Sequence, residues 1–295
     1  MSHSHHHDIK ESKTTSIVWA LVLNGSFCIL ELIAGIFSNS LSILSDAVHD
    51  LGDTIALGSA LFFEKHSTKS PDTSFTFGYR RFSVLSAFVN SLILFGGSVG
   101  IIIVSLQRLF HPEVVSSEIM FWMSIVGIIV NVFAMSKLRP HSHSHNHSVL
   151  SLHLLEDVLG WVAVFIGSII IYFTHWYIID PILSICVSVY IGFNAQKSVR
   201  SVLRIFLQGV PTTIDINKVQ QTINEIPNIL SIHSFRIWTL DDEDHIVSFH
   251  VVVDASMSST DLIILKHAIK KVTALHHIHQ TTVEFEFNTE ICNEK

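Results

Sequence analysis

Long apolar segments dominate the first two-thirds of this 295-residue chain. Six of them reach the roughly 20 residues that an α-helix needs to cross the hydrocarbon core of a bilayer. Polar stretches separate most of them, but only a tight turn near residues 175–176 separates the last two. The pattern predicts a membrane domain of six transmembrane helices over residues 16–208, with spans near 16–37, 41–63, 82–108, 118–137, 150–174 and 177–195.

A different pattern begins at about residue 209, after the last basic cluster. Helical spacing, two β-rich runs, a second helical spacing and a final alternating run follow one another, near 214–226, 229–240, 244–254, 258–275 and 281–287. The order predicts a C-terminal α-β-β-α-β domain over residues 209–295, of the ferredoxin-like, metallochaperone-like kind. A unit of about eighty residues buries little surface, so pairing with a second copy would stabilise it.

Basic residues lie almost entirely on one side of the predicted spans. Residues 1–15 form a polar, His-rich arm, and we expect that arm and the C-terminal domain to be cytoplasmic by the positive-inside rule. The opposite side has essentially only Arg108. The basic residues on the cytoplasmic side are Lys10, Lys13, Lys65, Lys69, Arg80, Arg81, Lys137, Arg139, Lys197, Arg200 and Arg204.

Composition agrees with a membrane protein, because 48% of the residues are hydrophobic and only 15% are charged, against about a quarter charged in soluble domains. The net charge of −7 argues against a nucleic-acid partner. The three cysteines are isolated, which excludes a disulfide framework and a paired-cysteine metal site. The first apolar run continues into a full span, so we expect no cleavable signal peptide.

Two membrane segments carry a His-x-x-x-Asp pair: His49 with Asp53 in the second, and His153 with Asp157 in the fifth. Residues four apart stack on one helix face, and ionisable residues inside a bilayer are costly unless they serve a function. Two such faces together offer two imidazoles and two carboxylates, which is a tetrahedral set for a zinc-like ion.

Other polar residues in the spans have simpler interpretations. We expect interhelical hydrogen bonds from the side chains of Asn24, Glu31, Asn90 and Asn131. Asp46, three residues before His49, is a candidate carboxylate for ion entry. Asp50 and Glu156 point about 100° away from their neighbours, which disfavours them as ligands.

An alternating histidine tract lies in the cytoplasmic loop 139–149 between the fourth and fifth spans, at His141, His143, His145 and His147. Such tracts bind metal ions loosely. A disordered, solvated linker explains the composition equally well. The two interpretations are compatible, since a disordered loop can raise the local metal concentration.

These features together resemble the cation diffusion facilitator family of metal transporters, over nearly the whole chain. The segments that carry the resemblance are SLSILSDAVHDLGD, FTFGYRRFSVLSAFVN, SLHLLEDVLGW, the Asp180–Pro181 pair, the His loop and HSFRIW. The resemblance implies a homodimer that exchanges a divalent cation for protons, with transport ligands His49, Asp53, His153 and Asp157. It also implies a preference for zinc, with cadmium and cobalt as further substrates.

The chemistry of these four ligands agrees with the implied substrate. Two carboxylates neutralise a divalent cation in a medium of low dielectric constant. Two nitrogen ligands disfavour magnesium and calcium, and the lack of thiolates disfavours copper(I), but zinc, cobalt and cadmium all remain. Imidazole must lose its proton to bind metal, so metal and protons compete at His49 and His153.

Two further regions hold metal sites in relatives: the loop between spans two and three, and the C-terminal tail. In the loop between spans two and three only His66 and Asp72 remain, with Ser74 where relatives often have His, so we expect no well-formed metal site there. In the tail, His233, His250, His279 and Glu286 match positions where relatives bind a regulatory metal, although ordinary surface or core histidines would give the same residues. The two-cysteine tail motif of some animal relatives is absent, with only Cys292 present, which favours a bacterial protein of the inner membrane.

Other classes of function explain the sequence less well. An intramembrane metalloprotease needs His-Glu-x-x-His on one helix, whereas His153 is followed only by Glu156 and Asp157. We therefore expect no enzyme. A passive metal channel or a membrane metal sensor remains as an alternative to an antiporter.

Overall fold

A computed structural model gives the fold of residues 5–67, 71–137, 145–241 and 244–290. Within them it describes the side chains other than those of residues 5–17, 60, 63–67, 137 and 145–154. The chain divides into two compact units. The first comprises Met1–Lys65 with Ser86–Val199, and the second comprises His66–Leu85 with Arg200–Lys295.

Six long helices make up most of the first unit. They are α1 (His5–Ser38), α2 (Leu41–Ser67), α3 (Arg81–Phe110), α4 (Ser117–Lys137), α5 (His145–Thr174) and α6 (Ile179–Phe206). Five of them, all except α2, are long and apolar enough to cross a membrane within the described part of the chain. The exception carries three aspartates, Asp46, Asp50 and Asp53, which lower its apolarity.

The predicted positions of the helices agree with the structure better than their ends do. Helix α5 begins at His145 rather than near residue 150, and α6 ends at Phe206 rather than near residue 195. The apolar pattern stops where Lys197 appears, but lysine and arginine favour helical backbone, so α6 continues beyond its apolar part. Hydropathy marks the apolar part of a helix and not its full length.

Small residues join α3 to α6. Ser91 donates to Ser198 at 2.6 Å, and Ser105 donates to Ser184 at 3.0 Å. Between these pairs, a Cβ on Gly192 would lie 3.3 Å from the Cβ of Ser98. Ser91, Ser98 and Ser105 repeat every seven residues, so they share one face of α3 and let the two backbones approach closely.

A buried aspartate of α6 fixes the N-terminus of α2. The Asp180 carboxylate is fully buried. It accepts hydrogen bonds from the hydroxyls of Ser40 and Ser42, both at 2.6 Å, and from the backbone N–H groups of Leu41 and Ser42, at 2.7 and 3.2 Å. The first N–H groups of a helix have no partner within the helix, so this carboxylate caps α2 from another helix.

Helices α4 and α5 pack through a glycine and a tryptophan. Trp161 of α5 is buried, and a Cβ added to Gly127 of α4 would overlap its indole ring. Trp161 lies one helical turn after Asp157 on the same side of α5. The close packing at Gly127 therefore fixes the part of α5 that carries a predicted ligand.

The second unit contains the predicted α-β-β-α-β order. Its elements are α7 (Ile216–Asn224), β1 (Ser231–Thr239), β2 (His245–Val253), α8 (Ser259–Leu275) and β3 (Ile278–Phe287). Strand β2 is central, antiparallel to β1 and parallel to β3. Asp215 caps α7 and Ser258 caps α8, through side chains that accept from backbone N–H groups. The core lies between the helices and the sheet, around Phe249 and Ile269.

The segment before α3 also belongs to this unit. Asp72 accepts hydrogen bonds from the N–H groups of Ser74 and Phe75, both at 2.8 Å, and from the Tyr79 hydroxyl at 2.6 Å. Arg80 forms an ion pair with Asp244. The hydropathy pattern predicted that the segment before α3 belongs to the membrane domain. It could not predict the ion pair between Arg80 and Asp244.

Candidate metal sites

The first candidate site lies between α2 and α5. His49 of α2 and Asp157 of α5 are both largely buried, and His49 Nε2 lies 3.6 Å from Asp157 Oδ1. The two residues are 108 positions apart, so only the packing of the helices brings them together. Two predicted ligands from different helices are therefore in contact.

The other two predicted ligands are on the same helices. Asp53 is half-buried, one turn after His49 on α2, and acts electrostatically on His49. His153 belongs to α5, but its side chain lies outside those that the structure describes. The described geometry thus brings two of the four predicted residues into contact, with Asp53 one turn from His49 on α2. The role of all four as ligands stays a prediction, and that of His153 follows from its position one turn before Asp157.

The face of α1 toward α2 is polar next to this site. Asn24 Nδ2 donates to the Asp50 carbonyl oxygen at 3.0 Å and to Thr54 Oγ1 at 3.1 Å. The prediction of an interhelical hydrogen bond is confirmed for Asn24. It is wrong for Asn131, whose amide donates to the Gly127 carbonyl oxygen of its own helix.

The remaining two polar predictions, for Glu31 and Asn90, stay predictions. Neither Glu31 oxygen accepts a hydrogen bond from a donor within the described residues, and the same holds for Asn90 Oδ1. Glu156 faces away from Asp157 and accepts a hydrogen bond from the Tyr190 hydroxyl at 2.6 Å, which agrees with its exclusion as a ligand.

The second candidate site lies on the three-stranded sheet. His233 and His250 face each other across β1 and β2, with ring centroids 5.1 Å apart. Glu286 of β3 is 2.6 Å from His250 Nδ1 and 3.2 Å from His233 Nε2. One ligand atom from each residue lies within 4.8 Å of the others, which suits a single metal ion.

The hydrogen bonding of this trio also suits a cation. His233 Nε2 is a buried atom that makes no hydrogen bond of acceptable geometry to the residues described. Two imidazoles and a carboxylate are common zinc ligands. His279, the fourth predicted residue, lies apart from the trio and contacts Asp244 Oδ1 through Nδ1 at 3.2 Å.

The predicted loop residues do not contribute a described side chain to either candidate metal site. The side chain of His66 is outside the description, and Asp72 stabilises its own turn. His141 and His143 lie outside the described residues. His145 and His147 fall in the first turn of α5, but their side chains are not among those described.

Sequence comparisons relate the chain to metal transporters. The family model described as the cation efflux transmembrane domain matches residues 17–207. The model of the cation efflux protein cytoplasmic domain, a dimerisation domain, matches residues 211–287. Together these two models account for nearly all of the chain.

Individual relatives match along almost their full lengths. The metal cation efflux system protein CzcD of Cupriavidus metallidurans is 32% identical over 287 residues, which are 97% of this chain and 90% of the relative. The cadmium, cobalt and zinc/H(+)-K(+) antiporter of Bacillus velezensis is 30% identical, covering 98% of this chain and 97% of the relative. The zinc transporter ZitB of Escherichia coli is 29% identical, covering 97% and 93%.

Proposed function

Because this chain belongs to the cation diffusion facilitator family of metal cation efflux proteins, we propose that it exports zinc from the cytoplasm in exchange for protons. It is an integral membrane protein. The observation that supports the transport site most directly is the 3.6 Å approach of His49 Nε2 to Asp157 Oδ1, between α2 and α5. On this proposal α2 is the sixth membrane span.

The proposed ligands are His49, Asp53, His153 and Asp157, with zinc as the transported substrate. Asp53 and Asp157 balance the two charges of the ion, so the filled site is close to neutral. An ion without this compensation would be strongly disfavoured in the membrane interior. Cadmium and cobalt accept the same donors, so we include them as secondary substrates.

Proton exchange follows from the imidazoles. A histidine that binds zinc must be unprotonated, so zinc binding releases protons and protonation releases zinc. A site that opens first to the cytoplasm and then to an acidic exterior would load zinc at the first surface and exchange it for protons at the second. Histidine suits this exchange because its ordinary pKa of about 6.5 lies between the pH of the cytoplasm and that of an acidic exterior.

The arrangement in the membrane follows from the basic residues. Both termini lie in the cytoplasm on this proposal, and the membrane is the inner membrane of a bacterium. The match to a dimerisation domain at residues 211–287 supports a homodimer. Pairing of two small C-terminal units would bury surface that one unit leaves exposed.

We further assign a regulatory zinc ion to His233, His250 and Glu286. Their approach joins three strands, so a bound ion would cross-link the sheet. His279 and the loop histidines 141–147 are accessory, loosely binding positions in this scheme. Equilibrium zinc titration of the full chain should show one site fewer in His250→Ala than in wild type, whereas the exposed His267→Ala should match wild type. Equal stoichiometry in His250→Ala and wild type would contradict the assignment.

Transport is tested in proteoliposomes with a zinc indicator inside and an imposed proton gradient. Asp157→Asn keeps the size of the side chain but removes its charge. Loss of residues that merely orient ligands costs about 10–100-fold in metal affinity, so loss of a ligand should lower zinc uptake by at least about 100-fold. Glu156→Gln is the matched control, since it alters the adjacent carboxylate, which bonds Tyr190 instead.

Three outcomes would contradict the proposal. Wild-type uptake by Asp157→Asn would remove the site. Uptake that follows the zinc gradient and ignores the proton gradient would indicate a channel. Zinc binding without any transport would indicate a sensor. Running zinc, cadmium, cobalt and manganese side by side gives the substrate order in the same experiment.

A further inference from the structure

Glu31 is a carboxyl group inside a membrane-spanning helix that the transport site does not use. It lies within the apolar part of α1, Val18–Ser38, and its exposed fraction is 0%. The neighbouring Ile33, Ile36 and Phe37 are exposed on the outer side of the helix. The carboxyl therefore points into the protein, where an ionised group loses the hydration that water would provide.

A polar row on α1 surrounds this carboxyl. Asn24, Cys28 and Glu31 follow the i, i+4, i+7 spacing of one helix face. Asn24 bonds α2 at the Asp50 carbonyl oxygen, and the Cys28 thiol bonds the Ala47 carbonyl oxygen at 3.4 Å. The row thus packs along α2, on the helix that carries His49.

Within the described residues, the groups that act electrostatically on Glu31 are all acidic. Asp46 and Asp50 of α2 act on it electrostatically, as does the thiol of Cys28 on α1. Helix α4 also packs on α1, but its residues 119–136 include no titratable side chain. Among the residues whose side chains are described, no N–H or O–H donor bonds either Glu31 oxygen.

A proton shared between two of these carboxyl groups would satisfy this arrangement. Two ionised carboxylates are both acceptors and repel each other, whereas one protonated carboxyl can donate an O–H···O bond to the other. Asp46 and Asp50 are only partly buried and lie within the field of His49. Glu31 is the fully buried member, and the described groups that act on it include no basic side chain, so it is the better candidate to hold the proton.

We propose that Glu31 is a proton-carrying residue of the transport cycle, additional to the metal ligands. It holds a proton against Asp46 and Asp50 while the transport site lacks metal, and it releases that proton when zinc binds. In the release step the O–H bond breaks, the electron pair stays on the carboxylate, and the proton passes to water on the side to which the site is open. This inference rests on the proposed antiport.

The link to zinc is electrostatic. Asp46 is within the field of His49, Asp53 and Asp157, and also within that of Glu31. A doubly charged ion at the site favours ionised carboxylates nearby. Zinc entry therefore lowers the cost of a charge at Glu31, and zinc release restores the cost and draws the proton back.

The test counts protons released when zinc is added to the purified full chain in weakly buffered detergent solution. Glu31→Gln is neutral at every pH and nearly isosteric. It should release about one proton fewer per chain than wild type, while zinc affinity at neutral pH changes less than about threefold. Glu31→Asp should restore the release. Glu118→Gln, an exposed carboxyl in the first turn of α4, should match wild type.

Proteoliposome uptake gives a second measurement. The zinc uptake rate of Glu31→Gln should depend less steeply on pH than that of wild type. Equal proton release and an equal pH profile in both proteins would overturn the inference. Loss of zinc binding in Glu31→Gln would also overturn it, because Glu31 would then be acting as an ionised group. Absence of proton-driven uptake in wild type would instead refute the proposed antiport.

An infrared measurement on the wild-type protein tests the same inference without relying on a variant that could fail to fold. The carbonyl band of a protonated carboxylic acid should be present without zinc and should decrease when zinc is added. A spectrum without any such band would overturn the inference irrespective of the variants.

Discussion

Replacing Asp180 should destabilise the membrane domain even though the residue belongs to neither candidate metal site. Its carboxylate is fully buried and receives four hydrogen bonds from the start of α2, two from hydroxyls and two from backbone N–H groups. Three of the donors share Oδ1, and the Leu41 N–H bonds Oδ2. The two variants of interest are Asp180→Asn and Asp180→Ala.

The expected loss of stability follows from how the four donors divide between Oδ1 and Oδ2. In Asp180→Asn the amide oxygen can occupy the Oδ1 position, but the amide nitrogen then faces the Leu41 N–H as a second donor. One buried donor loses its partner, which costs about 1–3 kcal/mol. The other three bonds lose the contribution of the charge, which roughly doubles the strength of such bonds. We expect a total loss of about 2–4 kcal/mol, and a larger loss for Asp180→Ala.

The assay is thermal unfolding of the purified protein in detergent micelles. At roughly 2–4 °C per kcal/mol for a chain of this size, Asp180→Asn should lower the apparent Tm by roughly 4–16 °C. Ser42→Ala removes one donor and should have a smaller effect. Glu156→Gln makes the same chemical change at an exposed carboxylate with one donor, Tyr190, and should shift the Tm by less than about 2 °C.

Zinc uptake provides a consistency check on the same variants. Since α2 carries His49, loosening its first turn should reduce the transport rate, but the ligands themselves remain. A Tm for Asp180→Asn within 1 °C of wild type would refute the argument that this carboxylate caps α2. Equal shifts for Asp180→Asn and Glu156→Gln would refute it as well, because burial and the number of donors would then have no effect.

Three further changes test other parts of the molecule. His49→Asp should shift the zinc-to-cadmium uptake ratio toward cadmium, because an additional carboxylate relaxes the preference for nitrogen and admits a larger ion; an unchanged ratio would argue against His49 as a ligand. Gly127→Val should cost about 1–3 kcal/mol of stability and reduce transport, because the new side chain must displace Trp161 one turn from Asp157; thermal unfolding and uptake measure both, and wild-type values would contradict the packing. Deletion of residues 141–147 should lower the apparent zinc affinity only modestly, and complete loss of uptake would mean that the tract does more than collect metal.

The sequence located the helices well because their signals are local. Apolar runs, helix caps such as Asp215 and Ser258, and the alternation of β3 all depend on neighbours within a few positions. Helix ends were less accurate, as α6 shows, because a helix can continue beyond its apolar part. The failed prediction for Asn131 has a related cause, since its amide found an acceptor one turn away on its own helix.

The composition of the candidate sites could also be listed from the sequence, through the two His-x-x-x-Asp spacings and the family resemblance. Their assembly could not. Nothing in the order of residues reveals that His250 and Glu286 meet at 2.6 Å while His279 turns to Asp244. Register between strands decides this, because neighbouring residues of a strand project to opposite faces of the sheet.

By itself, then, the sequence determined where the helices and strands form and which residue types are available for metal chemistry, since hydrophobicity and propensity act over short stretches of chain. The tertiary structure alone decided which of those residues meet. It placed His49 against Asp157, capped α2 with a carboxylate 139 residues away, and enclosed Glu31 among other acids. These outcomes depend on how whole helices pack, and packing is a property of the complete set of interhelical contacts.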